Sequence, residues 1–196
     1  MDIEYPYATG QARRQLLYRL PSAPLPRRLL VFGDKAQADL IRAGWDGSVV
    51  HIAANRVAGD ATEDDLRVDA VVLSSASDND MQKLLAAAWR RLGPGGIVMG
   101  HALDPRWVRR PKALHDAILA AGFVEPACYY LQPGIEAPMV LAPTDGPAAR
   151  AHAVRAIRTT RGLYNRAAYA LRLAAAWLGL DRWRQAELFF WGRRPC

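Results

Sequence analysis

Between Val68 and Gly100 the chain reads VDAVVLSSASDNDMQKLLAAAWRRLGPGGIVMG, a passage that admits few folds. Asp69 opens the run Ala70-Val71-Val72-Leu73, which lacks the polar alternation of a strand with one wet face. Such a run suits a strand covered on both faces, as in a parallel sheet. The polar cluster Ser74-Ser75-Ala76-Ser77-Asp78-Asn79-Asp80 ends it. Apolar residues then recur at Met81, Leu84, Leu85, Ala88, Trp89 and Leu92, the stripe of a helix with one buried face. Gly93-Pro94-Gly95-Gly96 stops that helix, because proline cannot continue it and glycine accepts positive φ. Ile97-Val98-Met99 restarts a strand. The spacing predicts one β-α-β crossover with parallel strands, adjacent or nearly so. Asp78 and Asp80 are expected to cap the helix rather than to act in catalysis.

The flanking segments extend the pattern. Leu29-Leu30-Val31-Phe32 and Ser48 to Ala53 read as strands, with a helix over Lys35 to Ala43 between them. Pro111 to Ala121 reads as a helix, with proline in its first turn and Gly122 just past its end. Phe123 to Leu131 and Ala137 to Ala142 are strands that pair as a hairpin around Pro133-Gly134. The fold class is therefore α/β: a Rossmann-like open sheet, mostly parallel with an antiparallel C-terminal hairpin, helices on both faces, and a basic helical C-terminal tail. Three parts are expected: an N-terminal helix and proline-rich linker over 1–26, the α/β domain over 27–146, and an Arg/Trp-rich helical extension over 147–196. Ligands of such sheets bind outside the carboxyl ends of the strands, so the candidate loops are Gly33 to Gln37, Ala53 to Ala61, Ser74 to Asp80 and His101 to Trp107.

Charge separates the tail from the rest. The 196-residue chain carries +7, while residues 147–196 hold ten arginines against Asp181 and Glu187, or 10 − 2 = +8. The remainder is thus close to neutral, at 7 − 8 = −1, and any argument about an acidic partner concerns the tail. Three readings of it follow. The arginines form a solvated face, or they bind nucleic acid, or they lie on an anionic membrane with Trp177, Trp183, Phe189, Phe190 and Trp191 as anchors. The lack of a nucleic-acid-binding motif argues against nucleic acid as the partner. The fourteen residues from Ala167 to Leu180, apolar but for Arg172, fall short of the ~20 that a membrane span needs. No apolar leader opens the chain, and Cys128 and Cys196 read as free thiols of a reducing compartment. The expected location is the cytoplasm, peripheral to the membrane if the tail binds there.

Several motifs carry a family resemblance. Gly59-Asp60-Ala61 followed by Val68-Asp69-Ala70-Val71-Val72 resembles the G-D-A … F-D-x-V passage of class I S-adenosylmethionine-dependent methyltransferases. Arg91 to Val98, RLGPGGIV, resembles their L-K-P-G-G-x-L-V turn, and Ala121-Gly122-Phe123-Val124 resembles the A-G-F that opens their sixth strand. The likeness covers residues 27–142. It departs from the family pattern in the cofactor loop, where Phe32-Gly33-Asp34-Lys35-Ala36-Gln37-Ala38 holds one glycine instead of three. It departs again after the second strand, where Ala53-Ala54-Asn55 replaces the usual acid, and a helix and strand before Gly59 are shortened or absent.

The resemblance implies S-adenosylmethionine as cofactor. It would be held by Gly33, Asp34, Ala53, Asn55, Asp60, Ser74 and Ser75. The acceptor would be a small or lipid-linked metabolite, with His101 as its general base; the competing reading of His101 is a loop histidine bonded to backbone. The departures imply the alternative, a non-catalytic methyltransferase-like protein that binds a protein partner or membrane surface through its basic tail. His51 is expected to pack inside its strand, and His115 and His152 to be solvated. No His, Cys, Asp or Glu set has metal-ligand spacing, so no metal is expected. A serine hydrolase is disfavoured, since no G-x-S-x-G occurs.

Overall fold

A computed structural model describes residues 26–33, 35–43, 45, 47–53, 67–73, 78–102, 104–132, 140–144, 147, 149, 151, 154, 155, 158, 162–177 and 187–196. The expected helix before residue 26 and the loop over 56–66 lie outside them. In chain order the elements are β1 (Arg28–Phe32), α1 (Lys35–Ala43), β2 (Ser48–Ile52), β3 (Val68–Leu73), α2 (Asp78–Arg91) and β4 (Leu92–Ala102). They continue with α3 (Pro105–Arg109), α4 (Pro111–Ala120), β5 (Val124–Gln132), β6 (Val140–Pro143), α5 (Leu163–Trp177) and β7 (Glu187–Arg193).

The strands form one sheet in the order β2-β1-β3-β4-β7-β5-β6. The first four run parallel, and β7 runs antiparallel to both β4 and β5. The crossover from β3 through α2 to β4 is present, with Val71 beside Val98. The expected hairpin is present too, with Leu131 beside Leu141. Alternate side chains divide the core into two layers, as the period of a strand requires. Leu30, Phe32, Val71, Leu73 and Val98 pack with Met81, Leu84 and Leu85 of α2 and with Leu114 and Ile118 of α4. Leu29, Val31, Ala70, Val72 and Met99 pack with Ala38 and Ile41 of α1 on the other face. That two-sided cover explains why the β3 sequence shows no alternation.

Two features differ from the sequence reading. Gly93 to Gly96 is not a separate turn but a bulge within β4: Val68 pairs with Leu92, and Ala70 pairs with Ile97. Likewise α2 starts at Asp78, so Asp78 and Asp80 stand inside its first turn, not ahead of it.

The larger correction concerns the chain end. Residues 187–193 were expected in a helical extension, but they fold as β7, in the middle of the antiparallel half of the sheet. Leu188, Phe189 and Phe190 are fully buried there. A run of consecutive aromatic and aliphatic residues favours a strand buried on both faces, and the neighbouring arginines masked that signal. Those arginines have structural duties. Arg194 donates through Nη1 to the carbonyls of Trp89 and Leu92, and its guanidinium lies 4.8 Å from the centre of the Trp89 ring. It thereby satisfies carbonyls that the end of α2 leaves without helical partners. Its backbone N–H donates to Gly96 O at 2.7 Å, and Gly95 N–H donates to Arg194 O, which fastens the bulge. At the amino ends of β1 and β3, the Asp69 carboxylate accepts from the backbone N–H groups of Arg27 and Arg28. The aspartate of the Val68-Asp69 motif thus joins the starts of β1 and β3 and has a structural duty.

Candidate functional site

The chain runs from β1 to β2 on one side and then returns to β3 on the other side of β1. This reversal is a topological switch point, and ligands of open α/β sheets bind beyond the carboxyl ends of the strands at such a point, here β1 and β3. One row of residues crosses the strands just below it. Ile52 pairs with Phe32, Phe32 with Leu73, Leu73 with Gly100, and Gly100 with Phe190. One residue further along their strands stand Ala53, Gly33 and His101. Three residues chosen from sequence therefore sit on one ledge. With strands ~4.8 Å apart, Gly33 and His101 are about 10 Å from each other. Asp34, Asn55, Asp60, Ser74 and Ser75 lie outside the described residues.

Gly33 turns the chain out of β1 with φ 127°, a conformation that side chains oppose. Its N–H donates to Ile52 O at 3.1 Å, and its carbonyl lies 3.0 Å from His51 Nε2. A carbonyl only accepts, so Nε2 carries the proton and Nδ1 does not when the ring is neutral. His51 is half-buried in β2, as expected, and it holds the glycine turn in place. The turn leads into α1, which exposes Lys35, Asp39 and Arg42. The Lys35 ammonium, hydrogen-bonded at 2.6 Å, lowers the Asp39 pKa, and Arg42 adds to the effect.

His101 is not a loop residue. It is the penultimate residue of β4, 2% exposed, and it pairs with Phe189. The strand runs this far because β7 supplies a partner up to Ala102. Alternation with Ile97 and Met99 puts His101 on the α1 face of the sheet. Gln37, in the first turn of α1, is buried on that same face beside Ala38. Among the described residues, Gln37 and His101 are the two buried polar side chains.

The sequence reading did not single out Gln37 or Trp107. The segment after β4 is the short helix α3, started by Pro105 and capped by the Asp104 carboxylate on Arg106 N–H at 2.8 Å. It packs Trp107 on the α2 face, with Trp107 Nε1 buried and no hydrogen-bond partner for it among the described residues. The signal was available: Asp-Pro ahead of Arg-Trp-Val is a cap followed by a helical first turn. Beside it Tyr130 donates to Val108 O at 3.3 Å, and burial raises the tyrosine pKa, with a contribution from Cys128. Among the described residues no cluster of three His, Cys, Asp or Glu is placed to hold a metal ion.

No protein-family model and no curated protein sequence matches the chain. Solved structures do match. Phosphoethanolamine N-methyltransferase 2 of Haemonchus contortus, in complex with phosphomonomethylethanolamine and S-adenosylhomocysteine, superposes with a TM-score of 0.52 at 12% identity. The match covers 98% of this chain and 55% of that one, so the chain spans about half the length of that enzyme. The fold is that of a class I methyltransferase. The [4+2]-cyclase SpnF superposes on the methyltransferase-like chain almost as well, with a TM-score of 0.50, 14% identity and coverage of 94% and 82%. A cyclase among the neighbours means that this fold does not by itself specify methyl transfer.

Proposed function

We propose that the chain binds S-adenosylmethionine beyond the carboxyl ends of β1 and β3 and transfers its methyl group to a small or lipid-linked acceptor. The observation that carries this reading is the ledge of Ala53, Gly33 and His101 at the switch point of a methyltransferase fold. Gly33 fits the cofactor because its positive-φ turn presents backbone without a Cβ, which permits close approach. In this reading Gly33, Asp34, Ala53, Asn55, Asp60, Ser74 and Ser75 hold the cofactor, and the acceptor lies toward β4. The cofactor supplies an electrophilic methyl group. The protein then has to align the acceptor with it and exclude water, and little acid–base chemistry is needed. His101 is the proton acceptor for a hydroxyl or amine, and its burial keeps bulk water from competing for that role.

A second reading is favoured by one observation: the Gly33 N–H already donates to Ile52 O and is not offered to a ligand. In that reading the chain keeps the fold without the chemistry and binds a protein partner or a membrane surface through its basic tail. Titration calorimetry of the full chain with S-adenosylmethionine and S-adenosylhomocysteine separates the two. Saturable heat supports the first reading, while none at millimolar ligand with folded protein leaves the second. Among the described residues, no helix is long and apolar enough to cross a membrane.

A further inference from the structure

Helix α5 carries an apolar arc that the fold leaves uncovered. Leu163, Tyr164 and Leu171 are 84%, 85% and 72% exposed, and Ala167 between them is exposed too. At 3.6 residues per turn, positions 163, 164, 167 and 171 fall within an arc of about 100°. Upstream of the helix Val154 is exposed, as is Arg158, whose carbonyl accepts from Arg166 at 3.4 Å. From Pro147 to Leu180 the chain holds Arg150, Arg155, Arg158, Arg161, Arg166 and Arg172, with no Asp or Glu.

We infer that this face docks on an anionic phospholipid surface, with α5 lying along it. The charge identifies the occupant. Guanidinium groups match lipid phosphates, while Leu163, Tyr164 and Leu171 reach the acyl boundary. A second copy of the chain is disfavoured, because a two-fold contact through this face would set arginines against arginines. The fifteen residues of α5 are too few to span a bilayer, so the helix lies in the interface plane. The surface is narrower than the one read from sequence. Phe189 and Phe190 are core residues of β7, and Trp191 is stacked on Tyr129 at 4.9 Å, so none of the three serves as an anchor. The inference does not depend on methyl transfer.

The test is flotation of the full chain with vesicles of phosphatidylcholine alone and of phosphatidylcholine mixed with phosphatidylglycerol. Binding to the mixed vesicles only, weakening as salt rises, is the expected result. The triple substitution Leu163→Ser, Tyr164→Ser, Leu171→Ser should reduce flotation to the level seen with neutral vesicles. Arg158→Ala should weaken it by about fivefold, the effect of one surface arginine. Both variants should keep the parental far-UV spectrum and melting temperature, since they change exposed side chains. Three results would overturn the inference: no flotation with anionic vesicles at low salt, equal flotation of the triple variant, or a concentration-dependent dimer that the triple variant abolishes.

Discussion

Phe190→Ala is the sharpest test of the fold, because it asks whether the chain end belongs to the core. Phe190 is fully buried in β7, between Gly100 of β4 and Cys128 of β5. Truncating a buried phenylalanine costs about 3–5 kcal/mol, and more where the neighbours cannot move in. Here they cannot. Gly100 has no side chain, and the tip of the Phe190 ring lies 2.9 Å from where a Cβ on Gly100 would be, so the ring occupies that space itself. The carbonyl of Leu73 lies 2.5 Å from the same point, which fixes the β3–β4 spacing against collapse. The upper part of the range applies, about 4–5 kcal/mol. Against a total of ~5–15 kcal/mol for an ordinary domain, that leaves a marginal protein. Urea unfolding followed by circular dichroism and tryptophan fluorescence reads the change as a lower midpoint at constant slope. Leu163→Ala, which alters an exposed residue, should stay within about 0.5 kcal/mol of the parent. A loss below ~1 kcal/mol for Phe190→Ala, at unchanged slope, would refute the placement of β7 inside the sheet.

Two further predictions follow from particular contacts. Arg194→Ala removes a charged donor from the carbonyls of Trp89 and Leu92 and should cost about 1.5–3 kcal/mol. Amide exchange should quicken at Arg90 to Leu92 more than at Met81 to Leu85; uniform quickening would assign Arg194 no local role. Tyr130 supplies a pH dependence. Its folded pKa is raised by burial above the ordinary value of about 10, so the unfolded chain ionises first as pH rises. Its stabilising contribution is complete below that value and is lost as pH climbs through the folded pKa. Tyr130→Phe should therefore flatten the alkaline limb of the stability curve while leaving it unchanged in slope near neutrality; an unaltered alkaline limb counts against this.

The parallel half of the sheet was legible in the sequence because burial there is local and regular. Ala70 to Leu73 announce a strand covered on both faces, and Met81 to Trp89 announce the helix that covers one of them. The ledge was legible for the same reason: strand ends are marked by polar or glycine residues, and topology then aligns Ala53, Gly33 and His101. Gln37 and Trp107 were missed because burial of a polar side chain depends on what packs over it. The hydrogen bond that closes Gly33 onto Ile52 was invisible because it joins residues on different strands.

The misplaced chain end has a consequence for the site itself. β7 was illegible because the arginines around its apolar run suggested a solvated tail. Yet β7 sets the state of His101. Phe189 lies beside His101 in register and packs on the same face as Met99, so the strand that completes the sheet also covers the imidazole. Without β7, β4 would be an edge strand and His101 would stand where the sequence reading put it, open at the rim. Substitutions at Phe189 should therefore act on His101 as well as on stability. Phe189→Ala should admit water and solutes to the ring and speed its modification by diethylpyrocarbonate, read by mass spectrometry of the peptide that carries His101. A loss of stability with no change in that reactivity would separate the two roles and show that β7 does not control the histidine.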